Sequence, residues 1–127
     1  MEKKWHSGTV VHGNANGRKW NYPTINLANV EPALAVENGV YAVVLQLSEK
    51  ELFQGMLYVG TRPTLKLSER VFEIHLFDYQ GDLYEQTVSF RIVKRVRGEM
   101  QFDSVTALAK QLSEDEKNIR LLLNAEF

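Results

Sequence analysis

Gly39-Val40-Tyr41-Ala42-Val43-Val44-Leu45-Gln46-Leu47 is a β-branched, aromatic-rich run, and Ser48-Glu49-Lys50 follows it as a hairpin turn into Leu52 to Val59. Strand-like segments extend from this hairpin in both directions. Trp5 to Val11 reads as a first strand. Gly60-Thr61-Arg62-Pro63-Thr64 interrupts the pattern after the hairpin. Val71 to Phe77 then alternates, with Phe72, Ile74 and Leu76 on one face and Glu73 and His75 on the other. Tyr79-Gln80-Gly81-Asp82 is a turn, and Tyr84 to Val93 is a long strand carrying Val88, Phe90 and Ile92 on one side. The period changes in the last quarter. Val105, Leu108, Ala109 and Leu112 have the spacing of an amphipathic helix, capped by Asp103 or Ser104. Ser113-Glu114-Asp115-Glu116 has the form of a capping box that opens a second helical segment, with Ile119, Leu122 and Leu123 as its apolar face. Short antiparallel strands with a C-terminal helix predict a small closed β-barrel with helix packed against it.

Composition narrows the function. With 127 residues there is room for one domain with one core and not for two. A net charge of -1 offers no bulk attraction to nucleic acid, so any anion site must be local. Cysteine is absent, which removes disulfides, thiolate chemistry and zinc–cysteine sites. No apolar run approaches the roughly 18 residues of a membrane span, and Met1-Glu2-Lys3-Lys4-Trp5-His6 lacks the apolar stretch of a secretory signal. The expectation is a cytoplasmic enzyme or binding domain, not engaged with membrane or nucleic acid.

The chemistry-bearing residues fall in three places. Gly13-Asn14-Ala15-Asn16-Gly17-Arg18 pairs backbone freedom with a cation, and Tyr22-Pro23-Thr24-Ile25-Asn26 follows it. In an extended segment Thr24 and Asn26 share a face, so the two stretches together offer parts for a nucleotide's phosphates and metal. Glu73 stands on a strand opposite core-facing neighbours, where a fixed carboxylate suits general-base work; a solvated strand residue is the plainer alternative. His75 shares its face, as a surface or hydrogen-bonded side chain. In Arg97-Gly98-Glu99-Met100-Gln101-Phe102, an Arg and a Phe in one loop suit a flat heteroaromatic ligand, while Phe102 could equally staple the helix onto the barrel. His6, His12 and His75 lack metal-site spacing.

Taken in order, the motifs are G-x-V-x-x-G-x-x-x-G-R, Pro-Thr-x-Asn, Gly-Val-Tyr-Ala, Gly-x-Arg-Pro-Thr, Glu-x-His-x-x-Asp, Asp-Leu-Tyr and Arg-x-Glu-x-x-Phe-Asp-Ser. From about Gly8 to Leu122 the chain resembles the ATP-dependent riboflavin kinase family, free-standing in eukaryotes and the C-terminal half of the bifunctional FAD-synthesising protein in most bacteria. That resemblance implies a six-stranded antiparallel Greek-key β-barrel at about 4–96 and a C-terminal helical part at about 103–125, one kinase domain over 1–127. It implies conversion of riboflavin and ATP to FMN and ADP, with Glu73 as the base. It also implies that Thr24 and Asn26 bind magnesium and phosphate, and that the glycine loop bearing Gly13, Gly17 and Arg18 covers the phosphates. Further nucleotide contacts fall on Leu76, Asp78 and Tyr84. Flavin contacts fall on Arg97, Met100 and Phe102, the middle one through backbone.

Thr24 and Asn26 are neutral, and magnesium prefers waters, carboxylates and phosphates, so the Mg²⁺ is expected to arrive with ATP. No permanently bound cofactor is expected. The absence of an H-x-G-H motif points to FMN as product and not FAD. A monomer, or one half of a bifunctional enzyme, is the expected state. Trp20, Asn21, Ile25, Tyr58 and Glu85 depart from the residues usual in the family. A non-catalytic flavin- or nucleotide-binding module on the same barrel is the alternative, and the presence of Glu73 argues for catalysis.

Overall fold

The computed structural model of the chain describes residues 4–11, 24–31, 36–48, 51–63, 68–79, 83 and 85–126. Gly13, Gly17, Arg18, Trp20, Asn21, Pro23 and Tyr84 lie outside the described residues. Among the described residues there are six strands and one helix. They are β1 Trp5–Val11, β2 Thr24–Glu31, β3 Gly39–Ser48, β4 Glu51–Pro63, β5 Ser68–Leu76, β6 Thr87–Arg97 and α1 Val105–Glu126. Neighbouring strands are antiparallel, and the order β1-β2-β5-β4-β3-β6 closes into a barrel. The meander β3-β4-β5, with β6 returning beside β3, is a Greek key.

Alternation decides which side of each strand faces the barrel axis. Ile25 and Leu27, Leu57 and Val59, Ile74 and Leu76, and Val88, Phe90 and Ile92 point inward and fill the interior. β3 has no polar face. Tyr41, Val43 and Leu45 join the interior, whereas Val40, Ala42 and Val44 pack outward with Met56 against Leu112, Ile119 and Leu123 of α1. A strand covered on both sides needs no alternation, which explains its continuous apolar run. Gly39 opens this strand because a Cβ there would come within 2.6 Å of the Arg97 carbonyl oxygen. In β2 an extra residue enters between the pairs Ser7↔Glu31 and Thr9↔Ala28, and Asn29 takes a φ of 54° within this bulge.

Three expected boundaries differ. β4 runs through Gly60 and Arg62 to Pro63, because its backbone pairs with β5 as far as Pro63↔Ser68 and that ladder outweighs the local Gly/Pro signal. β6 starts at Thr87 and not at position 84: Glu85 has a φ of 69°, its N–H bonds the Val10 carbonyl, and the Gln86 N–H turns back to Leu83. It then continues past Val93 to Arg97, paired with β3 across two register shifts. Lastly, α1 is one helix. The Ser104 hydroxyl caps it by accepting from the Ala107 N–H at 3.1 Å. No second helix opens at Ser113, because the buried stripe continues unbroken through Leu112, Asp115, Ile119 and Leu123. Val105, expected on that stripe, is exposed.

Candidate active site

Three adjacent strands, β2, β5 and β4, turn alternate residues to the outside of the barrel, and their register lines these up in two rows. Asn26, Glu73 and Tyr58 form one row through the pairs Asn26↔Glu73 and Tyr58↔Glu73. Thr24, His75 and Met56 form the second through Thr24↔His75 and Met56↔His75. Strands lie about 4.8 Å apart, so each row is roughly 10 Å wide. Glu73 therefore sits midway between the β2 amide and the β4 phenol. It is half-buried on a strand whose inward neighbours, Ile74 and Leu76, are fully packed.

In the second row the Thr24 Oγ1 lies 3.1 Å from Nδ1 of His75. His75 is 7% exposed. Burial pushes its pKa down to about 4, against an opposing pull from the Asp115 charge, so the ring is neutral near pH 7. It is not a surface histidine, and the hydrogen-bonded alternative is the one the structure shows.

Across β4 the row leads to the loop that joins β6 to α1. The Tyr58 hydroxyl donates to Glu99 Oε1 at 2.8 Å. Burial first, then the hydrogen bond and charge of Glu99 and the charge of Glu73, push the Tyr58 phenol up to about 12, with Arg97 opposing. Tyr58 therefore stays protonated and remains a donor. Its ring lies over Gly60, where a Cβ would meet the Tyr58 oxygen at 2.3 Å.

Arg97 anchors the start of the loop. Its Nε donates to Asp115 Oδ1 and Oδ2 at 3.1 and 3.0 Å, Nη2 donates to Oδ2 at 2.8 Å, and Nη1 donates to the Gly98 carbonyl at 3.0 Å. Gln111 Nε2 adds a bond to Asp115 Oδ1 at 2.9 Å. The two charged side chains are 17% and 1% exposed. Asp115 lies inside the Ser113–Glu116 segment, where it holds Arg97. The signal for it was a carboxylate standing on the apolar stripe of the helix.

The other named residues are placed unevenly. Met100 is exposed and Phe102 half-buried on the same loop. The Leu76 side chain is sealed in the barrel core, leaving its backbone for any ligand. Asp78 follows β5 with a φ of 61° and is gripped by Arg120 of α1 at 2.8 and 3.1 Å. That guanidinium holds the Asp78 carboxyl below its usual range, and it also lies 4.8 Å over the Phe77 ring.

A metal ion must find oxygen donors here. Among the described residues no group of three or more His, Asp and Glu side chains could hold one. Thr24, Asn26 and Glu73 supply one hydroxyl, one amide and one carboxylate on a common face. That donor set fits a magnesium ion already held by phosphates better than a resident ion. No helix among the described residues is long and apolar enough to cross a membrane.

The riboflavin kinase (flavokinase) family model matches residues 3–123. A bifunctional riboflavin kinase/FMN adenylyltransferase of Escherichia coli (strain K12) is 39% identical over 115 residues, covering 90% of this chain and 36% of its own length. The RNA-binding riboflavin kinase of Bacillus subtilis (strain 168) is 36% identical over 111 residues, 86% of this chain and 46% of that protein. Among solved structures, one described as a macrolide-efflux protein from Streptococcus pneumoniae superposes with a TM-score of 0.83 at 37% identity, covering 91% of this chain and 38% of that one. The chain thus spans between 36% and 46% of the length of these relatives.

Proposed function

The chain belongs to the riboflavin kinase family, and from that premise we propose that it transfers the γ-phosphoryl group of ATP to the riboflavin 5′-hydroxyl, giving FMN and ADP. The observation that carries this reading is the position of Glu73. It is registered opposite Asn26 on one side and Tyr58 on the other, and Tyr58 reaches the Arg97–Phe102 loop through Glu99. A carboxylate between a neutral-oxygen face suited to phosphates and a loop suited to a flat ring is what a two-substrate transfer needs.

Phosphoryl transfer has a loose transition state, so positioning and charge neutralisation supply most of the acceleration. Thr24 and Asn26 are assigned to the nucleotide's phosphates and magnesium, which when bound would neutralise charge on the transferring group. Arg97, Met100 and Phe102 are assigned to the flavin. Arg97 is a rigid member of that set, because Asp115 fixes its guanidinium plane. An ordinary glutamate carboxylate, with a reference pKa of about 4.3, cannot deprotonate a free alcohol, so Glu73 is not assigned that step alone. It orients the hydroxyl and accepts its proton as bond formation makes that proton acidic. The kinase step is the one to which these residues are assigned.

Incubation with riboflavin and Mg-ATP, followed by chromatography, should yield FMN. Glu73→Gln should lower kcat by about 100-fold while leaving riboflavin binding within a few-fold. Flavin binding without FMN formation by the unaltered chain would replace this reading with a non-catalytic flavin-binding module.

A further inference from the structure

His75 takes no part in the chemistry assigned to Glu73, yet it is buried and faces Thr24 across the β2–β5 ladder. A threonine hydroxyl has one hydrogen. For its lone pairs to face a cation or a phosphate-bound metal, that hydrogen must point elsewhere. Thr24 Oγ1 sits 3.1 Å from Nδ1 of His75, inside hydrogen-bond range. The side chain is also buried: His75 is 7% exposed, with Met56 as its registered neighbour on β4.

We propose that His75 is a positioning residue whose unprotonated Nδ1 accepts the Thr24 hydroxyl hydrogen, turning the Thr24 oxygen lone pairs toward the metal-bound phosphates. The ring is therefore the Nε2–H tautomer. The opposite arrangement, Nδ1–H donating to Oγ1, would occupy a lone pair and aim a positive dipole at the oxygen that is to meet the metal. The proposal rests on the placement of Thr24 against the nucleotide's phosphates and magnesium given above. Outer-shell partners of this kind typically change metal affinity or activity about 10- to 100-fold when removed.

The first test needs no substitution at the site. Long-range ¹H–¹⁵N spectra of the unaltered chain, with the three histidines assigned through His6→Gln and His12→Gln, should show the His75 proton on Nε2 and an acceptor Nδ1. A proton on Nδ1 overturns the proposal. The second test is calorimetry of ATP binding with and without Mg²⁺. His75→Leu should weaken Mg-ATP by about tenfold and leave metal-free ATP within about twofold. His75→Asn, whose amide oxygen can take the same hydrogen, should recover most of the loss. Equal weakening in both variants, or unchanged Mg-ATP affinity in His75→Leu, overturns the role of His75 alone. Unchanged Mg-ATP affinity in Thr24→Val removes the placement of Thr24 and the proposal with it.

Discussion

Acidification should destabilise this fold through His75. The imidazole has a pKa of about 4 in the folded chain against 6.5 when free, with burial as the main cause. A base whose folded pKa is depressed is protonated first in the unfolded chain. Its contribution is complete above about pH 6.5, declines as pH falls, and is exhausted below about pH 4. The loss amounts to about 2 kcal/mol by pH 5 and about 3 kcal/mol at the limit, out of the roughly 5–15 kcal/mol available to a small domain. His6 and His12 also titrate, so the measurement is differential. Urea unfolding of the unaltered chain and of His75→Asn is followed from about pH 7.5 to about pH 4.5. The asparagine has nothing to titrate, so the stability gap between the two should narrow by about 2 kcal/mol between about pH 7 and about pH 5. A gap that stays constant over this range would refute the claim that burial, and not solvent, sets the charge on His75.

Other outcomes follow from single contacts. Glu85→Gly should raise stability by about 1 kcal/mol, because Glu85 holds a φ of 69° that costs an L side chain and not glycine; a lower thermal midpoint would contradict this. Arg97→Met should cost about 3–5 kcal/mol by leaving the Asp115 carboxylate, 1% exposed, without its cation, and adding Asp115→Leu should recover much of the loss in urea unfolding. Gly39→Ala should cost on the order of 2 kcal/mol, since the new methyl meets the Arg97 carbonyl oxygen at 2.6 Å; unchanged thermal unfolding would count against the tight β3–β6 junction.

Much of the barrel was legible in local pattern. The alternation of Phe72, Ile74 and Leu76 against Glu73 and His75 placed the two polar side chains outside, and the doubly apolar run from Val40 to Leu45 marked a central strand. What local pattern could not supply was pairing between distant segments. Nothing near Asn26 says that it lies opposite Glu73, and nothing near Tyr58 says that it bonds to Glu99. Those neighbours come from ladder register and loop closure. The helix shows the same limit from the other side. Ser113 to Glu116 satisfies a capping pattern locally, but packing continues the stripe through Asp115, and Glu116, the carboxylate of that pattern, pairs with Arg120 one turn further on. The strand end at Pro63 follows the same rule: a break signal in one chain segment is outvoted when a second segment supplies the ladder.

The closed ladder around Glu73 has a further implication. In an open sheet a strand can slip by two residues and keep its faces, and the fold survives with a displaced side chain. Here β5 is paired on both flanks, and the circle β1-β2-β5-β4-β3-β6 returns to its start, so any slip must be absorbed at every other seam. A slip of one residue would also exchange Glu73 with Ile74, carrying charge into the interior and oil to the surface. The carboxylate's address is therefore a property of the ring as a whole. Molecules that close correctly carry it in place, and molecules that close wrongly lose their core with it. With the role proposed for Glu73, turnover should report the fraction of barrels assembled in register, with no intermediate class of folded chains working at partial rate.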